Sequence, residues 1–178
     1  MNARVLCLLV DGFEEIEMVA PVDLLRRAGI EVVVAAIHGK GAAGRCGIRV
    51  EADVSLTEIY GPGFDLLLLP GGPGVGEMRR DGRAAALARE FAARGKPVAA
   101  ICAAPLVLMD AGLLEGRRFT AHRSVRNVLG AALDERVVVD GNLITSSGAG
   151  SAMDFGLALV ARMAGQAAAD RVALEIMT

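Results

Sequence analysis

The sequence predicts an α/β layered fold built on a parallel sheet. Four short runs are continuously apolar and lack the polar alternation of a half-exposed strand, which indicates strands buried on both faces. Segments with helical spacing lie between them, and repeated strand-then-helix order implies right-handed crossovers. The four runs are VLCLLV (5–10), VVVAAI (32–37), DLLLLP (65–70) and VAAIC (98–102).

The other elements follow from turn signals and apolar periodicity. The segment 14–28 carries Ile16, Val19 and Leu24 at helical spacing and ends at a glycine, as does the segment 84–94. The glycine-rich stretch 41–56 predicts a small hairpin or an edge excursion. Further along the chain we expect a strand at RFTAH (118–122), a strand pair turning at Asp140-Gly141 in RVVVDGNLITS (136–146), and a helix over 151–164.

Length and composition restrict the function classes. The chain has 178 residues, 53% of them apolar, so we expect one domain spanning residues 1–178. Its 19 basic and 21 acidic residues form no basic stripe, which argues against nucleic acid as a ligand. The first apolar run is too short for a membrane span, and no signal cleavage region follows it, so we expect no membrane association and a cytoplasmic location.

The three cysteines show no pairing pattern. Cys7, Cys46 and Cys102 are an odd number with no CxxC spacing, which argues against a disulfide framework and against a zinc site. We therefore expect free thiols in a reducing compartment.

Cys102 is the candidate nucleophile. It closes a buried strand, and Ala103-Ala104-Pro105 opens a helix, so the thiol lies on a strand-turn-helix elbow at the carboxyl edge of the sheet. Backbone N–H groups at a helix start favour the thiolate, which predicts a lowered pKa for Cys102. The alternative is an inert thiol in the core, because free cysteines are often buried.

A glycine loop and a carboxyl group are expected at the same edge. Leu69-Pro-Gly-Gly-Pro-Gly74 ends the neighbouring strand, and its N–H groups suit an oxyanion, although a simple tight loop explains it equally well. Of the three acids that open the first helix, Glu14 and Glu15 are expected on the surface. Glu17 is in phase with the sheet-facing side, where a nearby thiolate raises its pKa.

Two histidines remain. His38, in the polar HGKG stretch, is expected to be solvated. His122 ends the predicted RFTAH strand, and it is a candidate proton carrier only if the end of that strand approaches Cys102, which its sequence leaves open.

Together these residues resemble the ThiJ/PfpI superfamily, in its DJ-one-like branch of glyoxalases, deglycases and oxidative-stress proteins. The likeness spans essentially the whole chain as a single DJ-one/PfpI-like (class I glutamine amidotransferase-like) domain. Four segments carry it: EEIEMVAPVDLLRRAGI (14–30), DLLLLPGG (65–72), AAICAAP (99–105) and TSSGAGSAMDFGLALV (145–160).

The resemblance implies a flavodoxin-like three-layer sandwich with helices on both faces of the sheet, usually as a homodimer. It implies Cys102 as the nucleophile, a protonated Glu17 as its partner and His122 as a site histidine. It also implies oxyanion donors from the backbone of Gly71, Gly72 and Ala103. For the subunit contact, the first helix offers Val19, Val22 and Leu25.

The predicted function is a cofactor-free and metal-free glyoxalase or deglycase that acts on methylglyoxal-like 2-oxoaldehydes or on their early adducts. The alternative is a redox-sensing or chaperone-like stress protein with an oxidisable Cys102. A thiol amidase, hydratase or peptidase is disfavoured because Ala103 stands where the protease-like branch has a histidine.

Overall fold

The computed structural model describes residues 3–59 and 63–178 and shows a seven-stranded sheet with helices on both faces. The predicted fold class is confirmed. The strands are β1 (Arg4–Leu9), β2 (Glu31–Ala36), β3 (Gly41–Ala43), β4 (Arg49–Glu51), β5 (Val54–Ser55), β6 (Leu66–Leu69), β7 (Val98–Ile101), β8 (Val137–Asp140) and β9 (Leu143–Ser146). The helices are α1 (Glu15–Arg27), α2 (Val75–Asp81), α3 (Arg83–Ala93), α4 (Pro105–Asp110), α5 (Arg126–Leu129), α6 (Ala152–Ala164) and α7 (Gln166–Glu175).

The strand order indicates the edge of the sheet at which a functional site is expected. The order is β5-β2-β1-β6-β7-β9-β8, and only β8 runs antiparallel to its neighbour. β2 lies on one side of β1 and β6 lies on the other, so the direction in which strands are added reverses at β1. Such a reversal leaves a crevice at the carboxyl ends of the strands. The loops that follow β1, β6 and β7 therefore meet at this edge.

Each central strand contributes to two apolar cores. In β1, Val5, Cys7 and Leu9 point to the face covered by α1, α6 and α7, whereas Leu6 and Leu8 point to the face covered by α2, α3 and α4. Because both faces are covered, neither set of side chains is polar. This arrangement explains the continuous apolar runs of the sequence.

The surface of α1 differs from the expected one. Val22 and Leu25 are buried in the protein's own core, so they are not available for a subunit contact, while Ile16 and Val19 are exposed. The reason is that α1 packs against both the sheet and α6, which buries a wide sector of the helix.

The predicted RFTAH strand is wrong. Phe119, Thr120 and Ala121 are buried, but Thr120 forms only an isolated bridge with Leu133. Its backbone N–H donates to the side chain of Thr145 on β9 at 2.9 Å instead of joining a ladder. β9 is already paired with β7 on one side and β8 on the other, so it has no free edge for another strand.

The two predicted hairpins are present. β3 and β4 form a separate antiparallel pair, and β8 and β9 form the other. In the second hairpin Asp140 pairs with Leu143, so the turn residues are Gly141 and Asn142, one position later than expected. Within the described ranges, no helix is both long and apolar enough to cross a bilayer.

Candidate active site

Cys102 lies on a strained elbow between β7 and α4. Its φ is +65°, a left-handed conformation that costs a non-glycine residue about 1–3 kcal/mol. The backbone is held there from two sides: the Cys102 N–H donates to the Ser146 carbonyl at 2.8 Å, and its carbonyl accepts the His122 N–H at 2.8 Å. The elbow places the partly buried thiol at the carboxyl edge of the sheet, as the sequence predicted, where it packs against the rim of the core.

Glu17 comes from the first turn of α1 and faces the thiol. Its side chain is 1% exposed, one carboxyl oxygen (Oε2) accepts the Gly71 N–H at 3.1 Å, and the carboxyl hydrogen-bonds the Cys102 thiol. The expectation that Glu17 points inward is confirmed. Glu14 and Glu15, expected on the surface, are also buried because the β3–β4 hairpin folds over the start of α1.

Gly71 allows the carboxyl and the thiol to meet. A Cβ at this position would lie 2.4 Å from Oε2 of Glu17 and 2.6 Å from Cβ of Cys102. A glycine is therefore needed here because the side chains of Glu17 and Cys102 pack directly against its backbone. The Gly71 N–H donates to Glu17. Of the three backbone groups expected to stabilise an oxyanion, that of Gly71 therefore binds the carboxyl instead.

The other two donors approach the sulfur. The N–H groups of Gly72 and Ala103 hydrogen-bond the Cys102 thiol and lower its pKa. They converge on the position where negative charge resides on the thiolate. An oxygen that becomes negative on a carbon bonded to this sulfur would lie beside them.

Glu17 and Cys102 compete for one proton. Burial, aided by the charge of Glu14, raises the pKa of Glu17 to about 7, although the hydrogen bonds that it accepts oppose the shift. Burial and the charge of a Glu17 carboxylate raise the pKa of Cys102 to about 12. The predicted lowering of the thiol pKa by the helix start is thus outweighed, since α4 has only six residues and the carboxyl is in contact with the thiol. A thiolate forms here when the proton resides on Glu17.

His122 reaches the site without a strand. It caps a short 3₁₀ turn at Arg123–Val125, and its Nδ1 accepts the Ser124 N–H at 3.3 Å. Nδ1 also lies 2.8 Å from the Ser124 hydroxyl oxygen, whereas Nε2 has no hydrogen-bond partner among the described residues. A Cβ on Gly148 would lie 3.4 Å from the His122 ring and 3.7 Å from Glu17, so the ring and the carboxyl flank the same point.

The side chains surround a cavity of about 280 Å³, a size suited to a small substrate. Sequence reasoning missed Arg45 and Ser124 in its wall, whereas the resemblance had placed the loop of Ala149 near the pocket. Arg45 lies in the β3–β4 hairpin, and no sequence signal connects it with Cys102. The Ala149 N–H lowers the pKa of Glu17. The lining residues are Glu14, Glu17, Arg45, Gly72, Pro73, Cys102, Ala103, His122, Ser124 and Ala149.

The remaining thiols and the second histidine lie elsewhere. Cys7 is buried in β1, and burial raises its pKa, so it is an inert core residue. Cys46 is exposed in the β3–β4 hairpin. The side chain of His38 is 57% exposed, as expected, and lies 3.5 Å from Glu77.

Comparison with known proteins matches the DJ-1/PfpI family over residues 3–162. The chain is 38% identical to protein dj-1beta of Drosophila melanogaster, covering 99% of this chain and 98% of that protein. It is 37% identical to a deglycase of Pyrococcus abyssi, covering 80% and 89%. Oxidized DJ-1 of Toxoplasma gondii superposes with a TM-score of 0.94 at 32% identity, covering 99% and 98%.

Proposed function

Because the chain belongs to the DJ-1/PfpI family, we propose that it is a cofactor-independent glyoxalase or deglycase. Its substrates would be methylglyoxal-like 2-oxoaldehydes or their early adducts with amines and thiols. The observation that carries the proposal is the contact between the Cys102 thiol and the buried carboxyl of Glu17 at a small cavity. Relatives named as deglycases support it.

The first step is addition of the thiol to the aldehyde. With the proton on Glu17, the Cys102 thiolate attacks C1, and the C1–O π electrons move to oxygen. The N–H groups of Gly72 and Ala103 stabilise the oxyanion, and Glu17 then gives it the proton. The product is a hemithioacetal beside a Glu17 carboxylate.

The second step moves hydrogen between adjacent carbons. The Glu17 carboxylate removes the C1 proton, and the electrons pass to the C2 carbonyl oxygen to give an enediolate. Glu17 then protonates C2 while the proton of the C1 hydroxyl passes to the C2 oxygen, so that C1 becomes the thioester carbonyl and C2 carries the hydroxyl. His122 assists this transfer at the C2 oxygen. C1 is oxidised and C2 reduced within one molecule, so no external oxidant is needed, and water releases the 2-hydroxy acid from the Cys102 thioester.

The test is lactate formation from methylglyoxal by reduced, chelator-treated protein. Cys102→Ala and Glu17→Gln are each expected to reduce kcat/KM by at least about 10²-fold, while Cys46→Ala, which leaves the cavity intact, retains the wild-type rate. A Cys102→Ala variant with the wild-type rate would refute the proposal.

A second candidate is a redox sensor, favoured because a similar structure is described as oxidized. Two equivalents of peroxide would convert the Cys102 thiolate to a sulfinate and release water, and Glu17 would hydrogen-bond the product. Intact-mass measurement during peroxide titration is expected to show two added oxygens in the wild type and none at this site in Cys102→Ser. Selective oxidation with negligible aldehyde turnover would favour this role over the enzymatic one.

We also propose that two copies pair through the exposed apolar side of α1. Ile16 and Val19 are 54% and 48% exposed, although they are apolar and lie on a well-packed helix. Sedimentation is expected to show a dimer that Ile16→Asp dissociates. A dilute monomeric wild type with full activity would contradict this proposal.

A further inference from the structure

A second cluster of ligand-type side chains lies behind the wall of the Cys102 cavity. The carboxyl groups of Glu14 and Glu15 and the Sγ of Cys46 each place one atom within 4.8 Å of the other two. Glu14 caps α1, Glu15 is its first residue, and Cys46 lies in the hairpin loop between β3 and β4. The cluster therefore joins two elements that are far apart in sequence.

Glu15 is held rigidly and yet has an unused oxygen. Its Oε1 accepts the N–H groups of Cys46 at 2.8 Å and Ile48 at 3.3 Å. Its Oε2 is buried and is the one buried side-chain oxygen or nitrogen in the described ranges that has no hydrogen-bond partner. Fastening the hairpin explains Oε1 but leaves Oε2 without a role, and a bare buried carboxylate oxygen is costly.

The backbone is shaped around this carboxylate. A Cβ on Gly44 would lie 2.2 Å from Oε1 of Glu15 and 2.3 Å from its carboxyl carbon. Oε1 is therefore enclosed by the hairpin backbone, whereas Oε2 keeps no hydrogen-bond partner in the described part of the chain.

We propose that Glu14, Glu15 and Cys46 form a binding site for a divalent borderline metal ion of the Zn²⁺ type. One thiolate and two carboxylates are ligands that Zn²⁺ accepts, and the three leave a fourth position for water. Binding releases the Cys46 proton to solvent. The absence of paired cysteines in the sequence argued against a zinc site, whereas this site takes a single cysteine and two acids from a helix start.

The geometry requires only a small movement. In a tetrahedral zinc site, ligand atoms lie about 3.4–3.6 Å apart, given bond lengths of about 2.1 Å to oxygen and 2.3 Å to sulfur. The present separations, all within 4.8 Å, close by rotation of the Cys46 and Glu14 side chains, while the Cys46 N–H stays hydrogen-bonded to Glu15. Arg45 lies 3.5 Å from Oε2 of Glu14, but its side chain is half exposed and can move aside.

The experiment titrates reduced, metal-free, full-length protein with Zn²⁺ by calorimetry and with Co²⁺ by absorbance. One ion per chain is expected, with a thiolate-to-cobalt charge-transfer band and the intense visible bands of tetrahedral Co²⁺. Cys46→Ser is expected to abolish the charge-transfer band, and both Cys46→Ser and Glu15→Gln to weaken binding by about tenfold or more. Gln at 15 retains an oxygen for the two hairpin N–H groups, so the fold is kept.

Two variants serve as controls. Cys102→Ser is expected to bind Co²⁺ like the wild type, and Arg45→Ala at least as tightly, since a competing cation is removed. Three results would overturn the proposal. The first is a charge-transfer band lost in Cys102→Ser but kept in Cys46→Ser, and the second is Zn²⁺ binding only at millimolar concentration. The third is a Glu15→Gln variant that binds the metal normally but sediments differently, which would assign the free oxygen to a second copy.

Discussion

Replacement of Gly71 by alanine tests whether the approach of Glu17 to Cys102 governs activity. The new Cβ would start 2.4 Å from Oε2 of Glu17 and 2.6 Å from Cβ of Cys102, and real Cβ atoms are essentially never found within 3.0 Å of another heavy atom. Cys102 cannot yield easily, because its backbone is hydrogen-bonded to Ser146 and His122. The Glu17 carboxyl must therefore retreat by at least 0.6 Å, from 2.4 Å to 3.0 Å.

The expected loss follows from this displacement. A 1 Å misplacement of a reacting group costs about 10²-fold in rate, so a shift of 0.6 Å or more predicts a 10- to 100-fold decrease in kcat/KM. This corresponds to about 1.4–2.7 kcal/mol of transition-state stabilisation. Overpacking is expected to reduce the free energy of unfolding by about 1–3 kcal/mol as well.

The assay measures lactate formation from methylglyoxal together with the pH dependence of Cys102 alkylation by iodoacetamide, which reports the thiol–carboxyl coupling without turnover. Gly150→Ala is the matched control, because a Cβ there meets no atom within 4 Å, and it should behave as wild type. A folded Gly71→Ala protein with a rate within threefold of wild type and an unchanged alkylation profile would refute the reasoning.

Further predictions concern the buried carboxyl and the packing around it. The pKa of Glu17 is raised to about 7 in the folded protein from an ordinary value of 4.5. Its contribution to stability is therefore full below pH 4.5 and is lost as the pH rises through 7. Urea denaturation should show that Glu17→Gln removes about 2 kcal/mol of the difference in unfolding free energy between pH 5 and pH 8. In the same variant the inflection of kcat/KM near pH 7 should disappear, and its persistence would assign that ionisation elsewhere. Gly156→Ala should lower the free energy of unfolding by about 1–3 kcal/mol, because its Cβ would lie 2.6 Å from Cδ1 of Leu24 across the α1–α6 contact; an unchanged denaturation midpoint would show that the helices adjust freely. Thr145→Val should lower the free energy of unfolding by about 1–3 kcal/mol, because it leaves the buried Thr120 N–H without an acceptor, and hydrogen exchange at that amide should accelerate. An unchanged free energy of unfolding would mean that another acceptor replaces the hydroxyl.

The strands were predictable because their signal is local. Burial on both faces requires an unbroken apolar run, so β1, β2, β6 and β7 are visible in the sequence without knowledge of their neighbours. The elbow at Cys102 was equally local, since a strand end, a thiol and a proline in the next helix lie within a few residues. The phase of α1 also indicated correctly that Glu17 points inward.

The RFTAH segment shows where such reasoning fails. Its residues are apolar and buried, as a strand requires, but whether a buried segment joins a sheet depends on a free edge, and β8 had already taken the edge of β9. The burial of Glu14 and Glu15 has a similar origin, because the hairpin that covers them comes from a segment about 30 residues away.

Local sequence thus determined the α/β class, the elbow at Cys102 and the inward carboxyl, since each depends on periodicity and chain geometry over a few residues. The tertiary structure alone decided the proton balance between Cys102 and Glu17, the arrival of His122 and Arg45 at the cavity, and the cluster at Cys46. These features depend on desolvation and on distances between separate elements, which become defined only when the layers pack together.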